Sequence, residues 1–185
     1  MVKQIFNDAE DRMKKVIVSL KSDFATIRTG RASATILDKV FIDYYGTSTP
    51  INQVSSVSIP EPKMILIQPW DNSMLSAIEK AILKSDLGLT PNNDGKVIRL
   101  ILPELTSERR KDLVKTAKKK AEEAKVAVRN LRREYNETLK KMEKNSEISE
   151  DEHKRSQDDM QKITDRFVEE VEKAFESKEK DILEV

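Results

Sequence analysis

The spacing of apolar residues along this chain changes twice. Val2, Ile5, Ala9, Met13, Val16, Leu20, Phe24 and Ile27 recur at three- and four-residue steps, which predicts a first helix over 2–28. Gly30 stands where a C-terminal cap is expected, because glycine tolerates the left-handed backbone that ends helices. From Arg31 to Leu105 the period shortens into brief β-rich runs: Val40–Tyr45, Val54–Ile59, Met64–Gln68 and Lys96–Leu102. A single helical segment, Met74–Asp86, lies between them, with Ser73 as its expected N-cap and Gly88 as its terminator.

The helical period returns at Thr106 and lasts until about Asn145. Leu113, Ala117, Ala121, Ala124, Val128, Leu131, Tyr135, Leu139 and Met142 fall in one stripe about 80° wide on a helical projection. A third helix is expected from Ser149, where Ser149 and Glu152 have capping-box spacing and Glu150 and Asp151 suit the positive helix end. Its inward face is Met160, Ile163, Phe167, Val171, Ala174 and Ile182. All six prolines lie between Arg31 and Leu105. The pattern therefore predicts an α+β protein: an elongated three-helix bundle from residues 1–30 and 106–185, interrupted by a small β/α/β domain over 31–105. A two-stranded hinge, near Thr29–Arg31 and Leu102–Leu105, joins the two. Long helices of about 35 residues reach roughly 50 Å.

Charge adds a second theme. Overall the chain carries only +1, but Ser107–Lys144 holds 14 Lys/Arg against 7 Asp/Glu, and Asn145–Val185 holds 7 against 14. The third helix can therefore complement the second. Lys111, Lys118, Lys125, Arg129 and Arg132 line up within about 60° beside the apolar stripe, forming a basic flank. A solvated face is the plain reading of such a run. The use of arginine at Arg109, Arg110, Arg129, Arg132 and Arg133 favours an anion-binding rod instead, since the guanidinium fork suits phosphates.

Several chemistries find no support in the residues. There is no cysteine, so disulfides and cysteine-based zinc or redox sites are excluded. No apolar run is long enough to span a bilayer, and the N-terminus lacks a signal core. A cytoplasmic protein with no cofactor or metal is expected. His153, the sole histidine, is assigned a structural or solvated role, and the acids at 150–152 are explained by the helix start. No phosphate-binding glycine loop precedes a Lys-Ser/Thr motif, so the chain is not expected to bind GTP. Trp70 and at least one of Tyr44 and Tyr45 are assigned to packing. Three rival readings are a coiled-coil scaffold, an enzyme and a general RNA chaperone. The apolar repeat averages nearer 3.6 than 3.5 residues, which favours an intramolecular bundle over the coiled coil. No nucleophile or acid–base set can be assembled for an enzyme.

The blocks IRTGRAS (27–33), YYGT (44–47), ILIQPWD (65–71), SDLGLTPNNDG (85–95), TSERRKDL (106–113), VAVRNLRRE (126–134) and EISEDEHKRSQDDMQKITD (147–165) resemble the bacterial ribosome recycling factors along the whole chain. The resemblance implies a monomeric, non-enzymatic translation factor. With elongation factor G and that partner's GTP hydrolysis, such a factor splits the post-termination ribosome. It also implies ribosomal RNA contacts through Arg110, Arg129 and Arg132. Arg28 and Arg31 match the family's IRTGRA block as RNA or hinge contacts. Lys118, Lys125 and Arg133 are further basic candidates on the second helix.

Overall fold

A computed structural model describes residues 1–184; Val185, the last residue of the expected bundle range, lies outside the described residues. The chain divides into two compact units. One combines Met1–Thr29 with the chain from Thr106 onward; the other is Gly30–Leu105.

The first unit is built from α1 (Val2–Thr26), α4 (Ser107–Lys144) and α5 (Glu150–Leu183). Their interior follows the apolar period. On α4, Leu113, Ala117, Ala121, Ala124, Val128, Tyr135, Leu139 and Met142 are buried, and Leu131 is half-buried at the edge. The three alanines remove side-chain bulk where the helices pack. Met13 of α1, Leu139 of α4 and Met160 and Phe167 of α5 are all but completely enclosed. Burying side chains of this size contributes about 1.5–3 kcal/mol each. On α1, Ile17 is buried and Val16 only partly so, one position from the sequence assignment. Both positions border the same face, and packing against two helices settles the choice.

The ends of the long helices are chemically specified. Thr106 caps α4 by accepting the Arg109 N–H at 3.1 Å. At the other end Ser146 takes a left-handed φ of 58°. Its N–H donates to the Glu143 carbonyl and the Glu147 N–H to the Met142 carbonyl, both at 2.9 Å. This is the Schellman closure, with serine where glycine is usual. Ser149 and Glu152 then form the expected capping box for α5. Ser149→Ala should destabilise the bundle by about 1 kcal/mol, read as a lower urea midpoint at unchanged m-value. An unchanged midpoint would mean that water replaces the cap without loss.

The second unit contains β1 (Phe41–Tyr44), β2 (Thr47–Pro50), a one-turn helix α2 (Ile51–Val54), β3 (Ser55–Glu61), β4 (Met64–Pro69), α3 (Leu75–Lys84), β5 (Pro91–Asn93) and β6 (Ile98–Ile101). β1 and β2 form an antiparallel pair, and the other four strands form a sheet in the order β3-β4-β6-β5. Its pairs are all antiparallel. Strand alternation turns Ile65, Ile67, Ile98 and Leu100 inward, against Ile78 and Ile82 of α3. The polar, proline-containing stretches TSTP and PNN fall outside the β-rich runs expected from the sequence, yet they form β2 and β5. Both lie at sheet edges, where a missing proline N–H is tolerated.

Four local assignments are corrected. α1 stops at Thr26, so Gly30 is not its cap; its φ of 79° belongs to the opening turn of the second unit. Asp71, not Ser73, caps the 3-10 turn leading into α3, accepting the Ser73 N–H at 3.0 Å and hydroxyl at 2.7 Å. These two bonds hold the Asp71 carboxyl below its ordinary range. α3 ends at Lys84, well before Gly88. Trp70 is not packed: it is 71% exposed, at the end of β4 beyond Pro69 where the sheet no longer covers it. Tyr45 is likewise exposed in the β1–β2 turn, while Tyr44 packs against the core.

The β5–β6 turn is held by one carboxylate. Asp94 Oδ1 accepts the Lys96 and Val97 N–H groups at 2.9 Å, and Arg99 Nη1 reaches Oδ2 at 2.5 Å. The backbone donors, then Arg99, pull its pKa from 3.8 to about 2. Because the folded value is depressed, its stabilising effect is present above the unfolded value and is lost as pH falls from 3.8 towards 2. A carboxyl NMR titration should place the midpoint near 2, with the Val97 amide tracking it. A midpoint near 3.8 would show that the turn does not hold the carboxylate.

Candidate nucleic-acid interface

A helix that packs on one side can present a row of cations only where neighbours leave it uncovered. α4 shows how this sorts the basic positions. Arg129 is exposed and has no hydrogen-bond or ion-pair partner among the described residues. The same holds for Lys111, Lys118 and Arg133. On a helical projection these four fall within about 60° on the solvent side, and they extend over roughly 33 Å of helix. Unpaired surface cations of this kind remain hydrated and available to phosphates.

The flank nearer α5 behaves differently. Arg132 is half-buried, and its Nη1 donates to Oε1 of Gln161 on α5 at 2.9 Å. Gln161 in turn donates from Nε2 to Asp165 Oδ1 at 2.7 Å. A neutral amide thus orients the guanidinium without cancelling its charge, and donors on the same fork remain for another acceptor. Gln161 was not among the sequence candidates. It is exposed, one position after the buried Met160, and the apolar period of the third helix does not mark it.

Lys125 is the clearest departure from the expected basic flank. Its side chain is 15% exposed and lies between Glu122 at 3.4 Å and Glu172 of α5 at 3.2 Å. The projection placed it next to Arg129, but α5 covers that edge and supplies the carboxylate. Arg110 also leaves the free set. It is half-buried at the start of α4, with a long 3.4 Å contact from Nη1 to the Leu183 carbonyl near the end of α5. A cation at a helix C-terminus satisfies an orphan carbonyl and complements the dipole. Arg28 and Arg31 are exposed, and both have interactions within the protein.

The opposite flank of α4 is neutralised by α1. Arg12 donates to Glu134 Oε1 at 2.6 Å and to the Tyr135 hydroxyl at 3.2 Å, and its guanidinium stands 5.6 Å from the ring centroid. Tyr135 in turn donates its hydroxyl proton to Asp8. Burial first, then the Asp8 carboxylate, pushes the phenol pKa up. His153 Nδ1 pairs with Glu143 across the α4–α5 connection, which gives it a structural place. The cations that stay free are therefore concentrated on one solvent-facing side of α4.

Residues 20–183 match the family description of ribosome recycling factor. The chain belongs to the ribosome recycling factor family. It is 61% identical over 177 residues to the ribosome-recycling factor of Caldicellulosiruptor bescii, covering 96% of each chain. It is 55% identical to that of Carboxydothermus hydrogenoformans over 185 residues, the full length of both. A solution structure of a ribosome recycling factor aligns with a TM-score of 0.77 at 44% identity, covering 100% of this chain and 98% of that one. A second structural relative aligns with a TM-score of 0.65 at 43% identity and full coverage of both chains. It is the T. thermophilus ribosome recycling factor, placed with E. coli elongation factor G on the E. coli post-termination complex. Family membership makes this chain a translation factor of ribosome recycling. Among the described residues, no helix is long and apolar enough to cross a membrane.

Proposed function

We propose that the chain binds the post-termination ribosome by laying the exposed basic side of α4 against large-subunit ribosomal RNA. Arg129 and Arg132 are the principal contacts, and Lys118 and Arg133 extend the footprint. The observation that carries this reading is the contrast along α4. Arg129 has no partner among the described residues and Arg132 is held by a neutral amide, whereas Lys125 is paired with Glu172. A phosphate groove gains affinity from such cations by counterion release, and arginine adds bidentate pairing. Arg110 joins Arg129 and Arg132 as a third RNA contact from the start of α4, where its Nη1 also reaches the Leu183 carbonyl near the end of α5 at 3.4 Å.

Elongation factor G then acts on the second unit, and GTP hydrolysis by that partner supplies the energy. The chain is a lever, not an enzyme, and it works as a cytoplasmic monomer without a cofactor. Thr29–Arg31 and Leu102–Leu105 form the hinge, with Arg28 and Arg31 bracing it. The placement of a structural relative with elongation factor G on the post-termination complex supports the partner assignment.

The test is subunit splitting of post-termination ribosomes with the protein, elongation factor G and GTP, each omitted in turn. Splitting should require all three. The chain contains no cysteine, so a cysteine pair introduced across the hinge can be cross-linked selectively. The cross-linked form should bind ribosomes normally but split them at least about tenfold more slowly, a barrier increase of about 1.4 kcal/mol. Normal splitting by the locked form would remove hinge motion from the mechanism.

A further inference from the structure

The second unit carries a groove that the RNA-binding reading does not use. It runs between β1 and α3 and has a volume of about 510 Å³. Val40 and Ile42 give it an apolar floor, and both are buried. Phe41 is 51% exposed at its margin, an unusual place for a large aromatic side chain. Lys39, Lys80 and Lys84 also line it, are exposed, and have no hydrogen bond or ion pair among the described residues. The lining acid, Asp43, is already engaged, since its Oδ1 accepts the Gly46 N–H at 2.8 Å.

One side of the groove is an unpaired strand edge. Among the described residues, β1 is bonded to β2 and to no other strand. The register pairs Ile42 with Thr49 and Tyr44 with Thr47, and the Ile51 N–H donates to the Val40 carbonyl at 3.2 Å. Hydrogen-bonded pairs alternate in an antiparallel ladder, so Val40, Ile42 and Tyr44 turn their backbone groups towards β2. Phe41 and Asp43 therefore turn theirs outward. Pro50 faces Phe41 in the register and has no N–H to give, which fits that phase.

We propose that this groove receives an extended acidic segment of a partner protein, added as a strand along β1. The backbone edge separates a peptide from a nucleic acid. Outward N–H and C=O groups alternate at Phe41 and Asp43, and a peptide answers both, whereas a phosphate chain offers acceptors alone. The apolar floor takes alternate side chains of the added strand. Lys39, Lys80 and Lys84 face its carboxylates, and they are lysines where phosphate recognition favours arginine. A segment of about five residues, roughly 17 Å long, would follow residues 39–43. The inference does not rest on the ribosome contacts of α4, and its test contains no ribosome, so either reading can fail without the other.

The probe is a capped peptide of four Val-Glu repeats, titrated into the full-length ¹⁵N-labelled chain at low salt. The Phe41 and Asp43 amides should shift and exchange with solvent more slowly, while the Arg129 amide stays unchanged. Lys80→Glu combined with Lys84→Glu should weaken binding by about tenfold or more, with folding confirmed in the same spectra. Phe41→Ala should weaken it as well. Shifts near the lysines without protection of the Phe41 and Asp43 amides would reduce the effect to charge attraction and overturn the proposal. So would the absence of any shift. Equal protection of those amides by an oligouridylate of matched charge would overturn it in favour of nucleic acid.

Discussion

Phe167→Ala should destabilise the bundle by about 3–5 kcal/mol, a large share of the total stability of an ordinary domain. Phe167 is 1% exposed and sits mid-way along α5, in the layer that α1 and α4 close. Truncation removes its transfer free energy and leaves a void that two long, capped helices cannot collapse into. The Arg166 guanidinium, 5.1 Å from the ring centroid, would lose that contact too. Phe167→Leu keeps most of the volume and should cost far less, below about 2 kcal/mol. Urea unfolding followed by helical circular dichroism reads both variants. Equal losses for the two would show that ring shape, rather than filled volume, holds the layer.

Arg129→Ala should lower ribosome affinity by about tenfold or more and reduce the salt slope by about one unit, with no change in thermal stability. The expectation follows from a side chain that is exposed and has no partner among the described residues. Arg132→Ala should act similarly. Gln161→Ala should weaken binding by less, because it frees the Arg132 guanidinium to wander without removing its charge. Lys125→Ala supplies the contrast: it breaks the pair with Glu172 and should leave affinity nearly unchanged. Equilibrium binding to ribosomes at several salt concentrations measures all four. A Lys125 effect as large as that of Arg129 would place the RNA on the wrong side of α4.

The long helices were legible because their signals are local. The caps at Thr106 and Ser149 depend on three or four consecutive residues, and the α4 stripe depends on a period that tertiary contacts did not need to override. What sequence could not supply was the angular reach of the neighbouring helix. Lys125 and Arg129 differ by 40° on the projection, yet one is drawn to a carboxylate of α5 and the other faces water. Arg110 is named by the resemblance alone, and its position where two helix ends meet has no signal in the helical period. In the second unit, β2 and β5 lack the apolar, β-branched runs that marked the other strands, because an edge strand needs only half its backbone groups paired. Trp70 was assigned to packing on frequency alone, and position at the strand end decided otherwise.

The route of the chain through its first unit has a consequence for synthesis. Arg12 meets Glu134 across 122 positions of sequence. At 5–20 residues per second, α1 leaves the exit tunnel roughly 6–25 s before that part of α4 does. Throughout this interval its buried face has no docking surface. The inserted unit, being continuous, can finish folding meanwhile, and the α4–α5 hairpin can close across its short capped link soon after emergence. The helix translated first thus waits longest for its partners, and a nascent-chain chaperone would find its apolar side open until then.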